Sequence, residues 1–259
     1  MIQEKGIGTS HTMSIPPFPA AVGVTHLLVY DTLAPDGLVG GSPHVHFLCT
    51  EMYMVIGGHG AVQTLSAAGF RETPLEPGQI VWFTPGVIHR LINHGKLEIL
   101  IVMQNAGLPE AGDFVLTFPE TTLTDDQAYF DAASLSPRGA VYTSSERAAH
   151  RRRDLAVQGF VELKQRYERE GPVALDRFYT QAVRLVQPKL ATWRAVWEGG
   201  PLATAQATGQ HLAALVEGEV SFLQQGDVYM IPAPATPRRL GMCGTLGVYL
   251  PEGARRVNQ

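Results

Sequence analysis

Residues 42–51 read Ser-Pro-His-Val-His-Phe-Leu-Cys-Thr-Glu, with His44 and His46 separated by one residue and Glu51 five beyond the second. Side chains alternate across an extended strand, so the two imidazoles share a face. Glu51 lies an odd number of residues past His46 and would face away on a flat strand; a bulge or corner between them corrects this. Further along, "GQIVWFTPGVIHRLIN" runs from Gly78 as a short strand, a Pro85-Gly86 turn, and His89 opening the next strand, with Asn93 following. Three neutral imidazoles and one carboxylate suit a divalent transition metal. Without a cation, a carboxylate among apolar strands is costly to bury. His44, His46, Glu51 and His89 are therefore the candidate metal ligands. Any one of these histidines by itself reads as an ordinary polar residue on a solvated sheet face.

These residues must be held by strands. Residues 20–118 alternate short β-branched and aliphatic runs ("VGVTHLLVY", "HFLCTEMYMVIGGHGAVQTL", "KLEILIVMQN") with turns such as "APDG" and Gly57-Gly58. That spacing predicts an antiparallel sandwich or barrel. Residues from about 120 to 200 change to helical patterning. Thr124 with Gln127, and Thr143 with Glu146, have capping-box spacing. In "GPVALDRFYTQAVRLV" the apolar positions Leu175, Phe178, Tyr179, Ala182, Val183 and Val186 fall on one helix face. Pro188 ends that helix and "LATWRAVW" adds a turn or two. The cluster Arg151, Arg152, Arg153 reads as a solvated helix face. Strand character is expected again over residues 202–251.

The 259 residues, 45% hydrophobic and 17% charged, describe a globular chain with a core to bury. A net charge of -4 argues against a nucleic-acid partner and offers no attraction to an anionic membrane. No apolar run approaches the roughly 20 residues that span a bilayer, and the N-terminal residues show no secretion signal. Two cysteines, Cys49 and Cys243, read as free thiols, so a cytoplasmic location is expected.

The two histidine-bearing stretches resemble the signature motifs of the cupin superfamily. His44, His46, Glu51 and Gly58 fit the first motif, and Gly78, Gly86, His89 and Asn93 fit the second, with Pro85 one position late. The resemblance spans about residues 20–110. It implies a mainly β fold, a double-stranded β-helix (jelly-roll) barrel, with a metal in its mouth bound by His44, His46, Glu51 and His89. The remaining histidines, His11, His26, His59, His94, His150 and His211, match no ligand position. Cys49 reads as a small packed hydrophobe.

A weaker echo follows. "QHLAALVEGEV" resembles "TEMYMVIGGHG", and "GDVYMIPAPATPRRL" resembles the second motif. The corresponding positions would be Thr204, Gln206, His211 and Thr236, a set largely stripped of ligands. The expected organisation is a bicupin: an N-terminal cupin barrel with the metal site (1–118), a helical segment (119–200), and a degenerate C-terminal cupin-like barrel (201–259). A C-terminal extension adding strands to a single barrel is the alternative.

Three histidines and a glutamate leave one or two coordination positions for water, oxygen or substrate. The expected cofactor is one divalent transition metal ion: Fe, Mn, Zn or Ni. Tyr53, in phase with Glu51, is the candidate catalytic residue beyond the ligands, as a proton donor or substrate partner, or else a wall residue. Leu91, Gln104 and one of Trp82 and Phe83 are further candidates for the pocket. With few cations near the motifs (Arg71, Arg90, Lys96), a neutral or weakly acidic small-molecule substrate is expected. The first functional reading is a dioxygenase-like oxidoreductase. The alternatives are a metal-dependent sugar or keto-acid isomerase, epimerase or lyase, and a non-catalytic small-molecule-binding cupin. A homodimer is compatible with each.

Overall fold

The computed structural model describes residues 15–135, 145–234 and 236–257. His11 and Thr143 lie outside them. The strands in chain order begin with β1 (Gly23–Val29), β2 (His44–Val45), β3 (Glu51–Ser66) and β4 (Gly69–Leu75). They continue with β5 (Ile80–Phe83), β6 (Ile88–Met103) and β7 (Val115–Leu116). Every pairing is antiparallel. β3 and β6 form the long central ladder, running from Glu51 opposite Met103 to Leu65 opposite Ile88. That ladder bends where the register shifts between Val55 and Gly60. β5 closes on the first half of β3, β4 on its second half, and β2 bridges β6 and β7. Gly58 makes the bend possible. Its φ is +65°, and an added Cβ would lie 2.1 Å from the Lys96 carbonyl oxygen. Asn93 fixes the opposite side. Its amide donates to the Val29 and Tyr30 carbonyls, and its side-chain oxygen accepts from the Gly95 and Leu97 N–H groups.

The helical middle comprises α1 (Glu120–Leu123), α2 (Asp126–Ala133), α3 (Glu146–Glu170), α4 (Val173–Val186) and α5 (Leu190–Trp197). The caps are Asp125, accepting from Ala128 N–H, and Ser145, accepting from Ala148 N–H. The first therefore falls one residue later than the Thr124 spacing indicates, because Thr124 closes α1 with its hydroxyl donating to the Glu120 carbonyl, and Asp125 is the extended residue whose carboxylate meets the free amide. The apolar face of α4 buries Leu175, Phe178 and Ala182 as its periodicity indicates, whereas Val183 is 43% exposed. Phe160, Leu163, Phe178, Leu185 and Trp193 pack against Val45, Leu65, Ile88 and Phe118 of the sheet. Leu27, Tyr53, Val55, Val62, Leu91 and Ile99 fill the barrel interior.

The C-terminal third differs from expectation. Residues 203–216 form a helix, α6 (Ala203–Val216), not strands. Its alanines, at 203, 205, 207, 213 and 214, are the strongest helix formers, and they outweigh the short apolar run that reads as extended. β8 (Tyr229–Met230) pairs only with β11 (Arg255–Arg256) in a separate two-stranded ribbon. β9 (Arg239–Leu240) and β10 (Gly244–Tyr249) join the first sheet, where β10 lies against β1 from Val24–Tyr249 to Val29–Gly244. The described residues of 201–259 thus build no second barrel; β9 and β10 extend the first. Among the described residues, no helix is long and apolar enough to cross a membrane.

Candidate metal centre

Three elements deliver the four candidate ligands. His44 sits in β2, directly opposite His89 at the start of β6. His46 follows β2 by one residue. The chain then leaves the sheet and returns as β3, which opens on Glu51. This break between 46 and 51 turns the glutamate inward, as the odd spacing requires. All four side chains are buried, and their ligating atoms lie within 4.8 Å of one another. His44 Nε2 is 3.1 Å from His89 Nε2, and a Glu51 carboxylate oxygen is 3.1 Å from His89 Nε2 and 3.4 Å from His46 Nε2.

The outer nitrogens set the chemistry of the inner ones. His44 Nδ1 donates to the Ser42 carbonyl at 2.9 Å, His89 Nδ1 to the Val87 carbonyl at 3.0 Å, and His46 Nδ1 to the Asp113 carbonyl. A neutral imidazole that donates through Nδ1 presents an unprotonated Nε2. Three lone pairs and a carboxylate oxygen then converge on one point. Such a set repels itself unless a cation, or shared protons, occupy the centre. His46 Nε2 and one Glu51 oxygen are buried with no hydrogen-bond partner. Burial and the neighbouring imidazoles drive the His44 pKa well below the usual range, which keeps it neutral with a lone pair available. Burial alone would raise the Glu51 carboxyl, but His89 and His46 override it and hold the group ionised. Burial lowers the His46 pKa but the Glu51 carboxylate more than offsets it and raises it, so a metal bound there would displace a proton. In donor type and convergence the residues present fit a divalent transition metal.

Above the cluster opens a cavity of about 310 Å³ whose walls include His44, His46 and Glu51. Most of the rest is apolar: Leu27, Ile101, Met103, Phe114, Leu246 and Val248. Tyr53 is fully buried in the barrel interior, edge-on to Phe83, and is not among the cavity's lining residues. Its hydroxyl makes no hydrogen bond, and burial together with Glu51 raises its pKa well above normal. Of the aromatic pair, Phe83 turns in against His89, with centroids 4.2 Å apart, and Trp82 is 65% exposed. Leu91 is core, and Gln104 accepts from Thr50 N–H at the surface. Cys49 is packed in the core, as its neighbours suggest.

Several residues that matter here carry no motif. Asp113 is fully buried; its carboxylate accepts from the Phe47 and Leu48 N–H groups, and its carbonyl holds His46. Arg152 and Arg153 are only 7% and 2% exposed, so the basic cluster is not a solvated face. Arg153 turns inward to the Thr32 and Leu33 carbonyls. Arg152 lines the cavity, together with Arg239 and Cys243. Two of the three arginines lie on the inner side of α3, which a charge run alone does not reveal.

Residues 29–103 match the family model described as Cupin domain. The matched segment holds all four candidate ligands and supports the cupin superfamily for this part of the chain. Among solved structures, the chain is similar to a double-stranded β-helix protein from Klebsiella pneumoniae, at 24% identity over 32% of this chain and 64% of that one (TM-score 0.24). It is also similar to a sugar 3,4-ketoisomerase from Thermoanaerobacterium thermosaccharolyticum, at 12% identity over 36% and 64% (TM-score 0.30). A cupin protein from Bacteroides fragilis matches at 18% identity over 33% and 65% (TM-score 0.25). The chain spans less than two thirds of the length of each. No curated protein matches.

Proposed function

We propose that the protein is a mononuclear metal-dependent cupin enzyme acting on a small organic molecule. In this reading His44, His46, Glu51 and His89 hold the metal, and the 310 Å³ cavity receives the substrate. The observation that carries it is the convergence of three Nδ1-anchored imidazoles and one ionised carboxylate at the floor of a cavity of substrate size. A bound metal would supply either Lewis-acid polarisation of a substrate oxygen or, with iron, activation of O2. The chain's own contributions are separate. The Nδ1 anchors fix ring orientation, Phe83 and the barrel interior shield one side of the centre, and the apolar walls exclude water from the other.

Dioxygenase-like chemistry requires open coordination positions, which a set of four protein ligands allows. Redox-neutral isomerase or lyase chemistry is favoured by a different observation. Met103, Met242 and Cys243 all line the cavity, and thioethers and a thiol are oxidation targets beside an oxygen-activating centre.

Metal analysis by mass spectrometry on untagged protein, beside His89→Ala, tests the site. About one equivalent of metal, lost in the variant, is the expected result. No metal in either protein, even after reconstitution, overturns it. Turnover under strictly anaerobic conditions then separates the two chemistries.

A further inference from the structure

We infer that the cavity binds an organic carboxylate, its charge met by Arg152 in the wall and Arg239 at the mouth. This rests on reading the cavity as the substrate site, and it names the substrate class.

Three arginines are buried among the described residues: Arg90, Arg152 and Arg153. Arg90 forms a forked ion pair with Asp36, and Arg153 pairs with Asp154 while also donating to Thr32 and Leu33. Arg152 differs. Its Nη2 donates to the Gly241 carbonyl at 2.7 Å and its Nη1 to the Ala133 carbonyl at 3.4 Å. Its Nε has no partner. Among the described residues no carboxylate lies within 4 Å of it. The groups that act on it electrostatically are Tyr30, Cys243 and Tyr129, whose pKa values are pushed up to about 12, mainly by burial. All three are neutral at physiological pH. A guanidinium does not deprotonate to escape such a setting. A buried charge left with only carbonyl dipoles is strongly unfavourable until a counter-ion meets it. Among the described residues, the one buried arginine without a counter-ion is the one on the cavity wall.

Arg239 adds a second cation. It is exposed at the cavity edge on β9, and its side chain has no hydrogen bond or ion pair among the described residues. The acidic groups on the same wall are Glu51, in the metal cluster, and Glu110, which accepts from Gly107 N–H. These leave charge for one ligand carboxylate and work against the two charges of a phosphate. The apolar walls suit the remainder of the molecule. The expectation of a scarcely charged pocket, based on cations near the motifs, missed both arginines because they come from α3 and β9.

The test is equilibrium binding to the full chain, as purified and after chelator treatment, so that coordination to metal is not mistaken for recognition by arginine. The probes are pyruvate, succinate, benzoate and 4-hydroxybenzoate, each beside its amide, with inorganic phosphate. At least one carboxylate should bind the chelated protein about tenfold or more tightly than its amide. Arg152→Met should abolish that preference while leaving the amide unchanged. Arg239→Ala, at an exposed site that leaves the fold intact, should weaken the same carboxylate several-fold. Equal binding of acids and amides, preference for phosphate, or a preference that survives both substitutions overturns the inference. Metal stoichiometry is read separately. Metal without carboxylate preference sinks this inference alone; carboxylate preference without metal sinks the metal centre alone.

Discussion

Leu27 of β1 and Leu246 of β10 face each other across an antiparallel register, although one lies near each end of the chain. Leu27 is fully buried, and Leu246 packs against the same barrel interior. The last strands are therefore part of the first sheet and supply one wall of the cavity. Ending the chain after residue 238 removes Leu240, Cys243, Leu246 and Val248 and uncovers the β1 edge. Leu240, Leu246 and Val248 are half-buried and each contributes less than the about 1.5–3 kcal/mol of a fully buried aliphatic side chain, but their sum, with buried Cys243 and the β1–β10 ladder, is large against a total stability of about 5–15 kcal/mol. The truncated chain should lose its cooperative thermal transition by circular dichroism. A sharp transition at the full-length midpoint would show that β9 and β10 are dispensable.

That relationship also marks where the sequence is legible. The buried cluster of His44, His46, Glu51 and His89 can be found from spacing because few residue types suit such a candidate site. The strands of residues 20–118 are visible because they are short, β-rich and bounded by turns. The end of the chain misleads because β9 and β10 are two and six residues long and read the same whether they start a new sheet or finish an old one. Pairing partners far apart in sequence leave no local pattern. Arg152 is hidden for a related reason: a charged residue on a helix reads as solvated unless the shape of the surface it meets is known.

The helical layer sits close on the barrel through Gly159. A Cβ at that position would lie 2.2 Å from the Thr117 carbonyl oxygen and 2.5 Å from the Pro119 nitrogen. Both are backbone atoms that cannot rotate away. Alanine gains about 1 kcal/mol of helix propensity over glycine, but forcing α3 off the sheet costs about 1–3 kcal/mol or more. Gly159→Ala should therefore be destabilised in urea unfolding, and since Arg152 lies on the same helix, carboxylate binding should weaken with it. A variant as stable as the parent would mean that the two layers can slide.

Arg90 is fully buried and its counter-ion is Asp36. Burial acts to raise the Asp36 carboxyl, and the Arg90 guanidinium more than offsets it, holding the pKa below its usual value. Asp36→Asn keeps the shape and strands the guanidinium. Breaking a buried pair costs about 3–5 kcal/mol, and partial exposure of Asp36 reduces the expectation to about 2–4 kcal/mol. The folded pKa is depressed, so this contribution is present above the unfolded pKa of about 4 and is lost as pH falls through the folded value. Parent and variant should differ most near neutral pH and converge in acid. Urea midpoints measured from pH 7 down to pH 3 check the sign; a constant gap across that range would assign the loss to something other than charge.

Asp113 braces the candidate metal centre without joining its four side chains. Its carboxylate accepts from the Phe47 N–H at 2.9 Å and the Leu48 N–H at 3.1 Å, clamping the chain just after His46. Its own carbonyl then accepts a hydrogen bond from His46 Nδ1–H, so one residue fixes both the backbone position and the tautomer of a candidate ligand. Removing such support typically costs 10–100-fold in metal affinity. Asp113→Ala should weaken zinc binding by about that factor in competition with a chromophoric chelator. Asp113→Asn keeps one acceptor oxygen and should recover part of the loss. The circular dichroism of both variants should match the parent, because the clamp is local. Unchanged affinity in Asp113→Ala would show that His46 is positioned by the β2–β6 pairing alone.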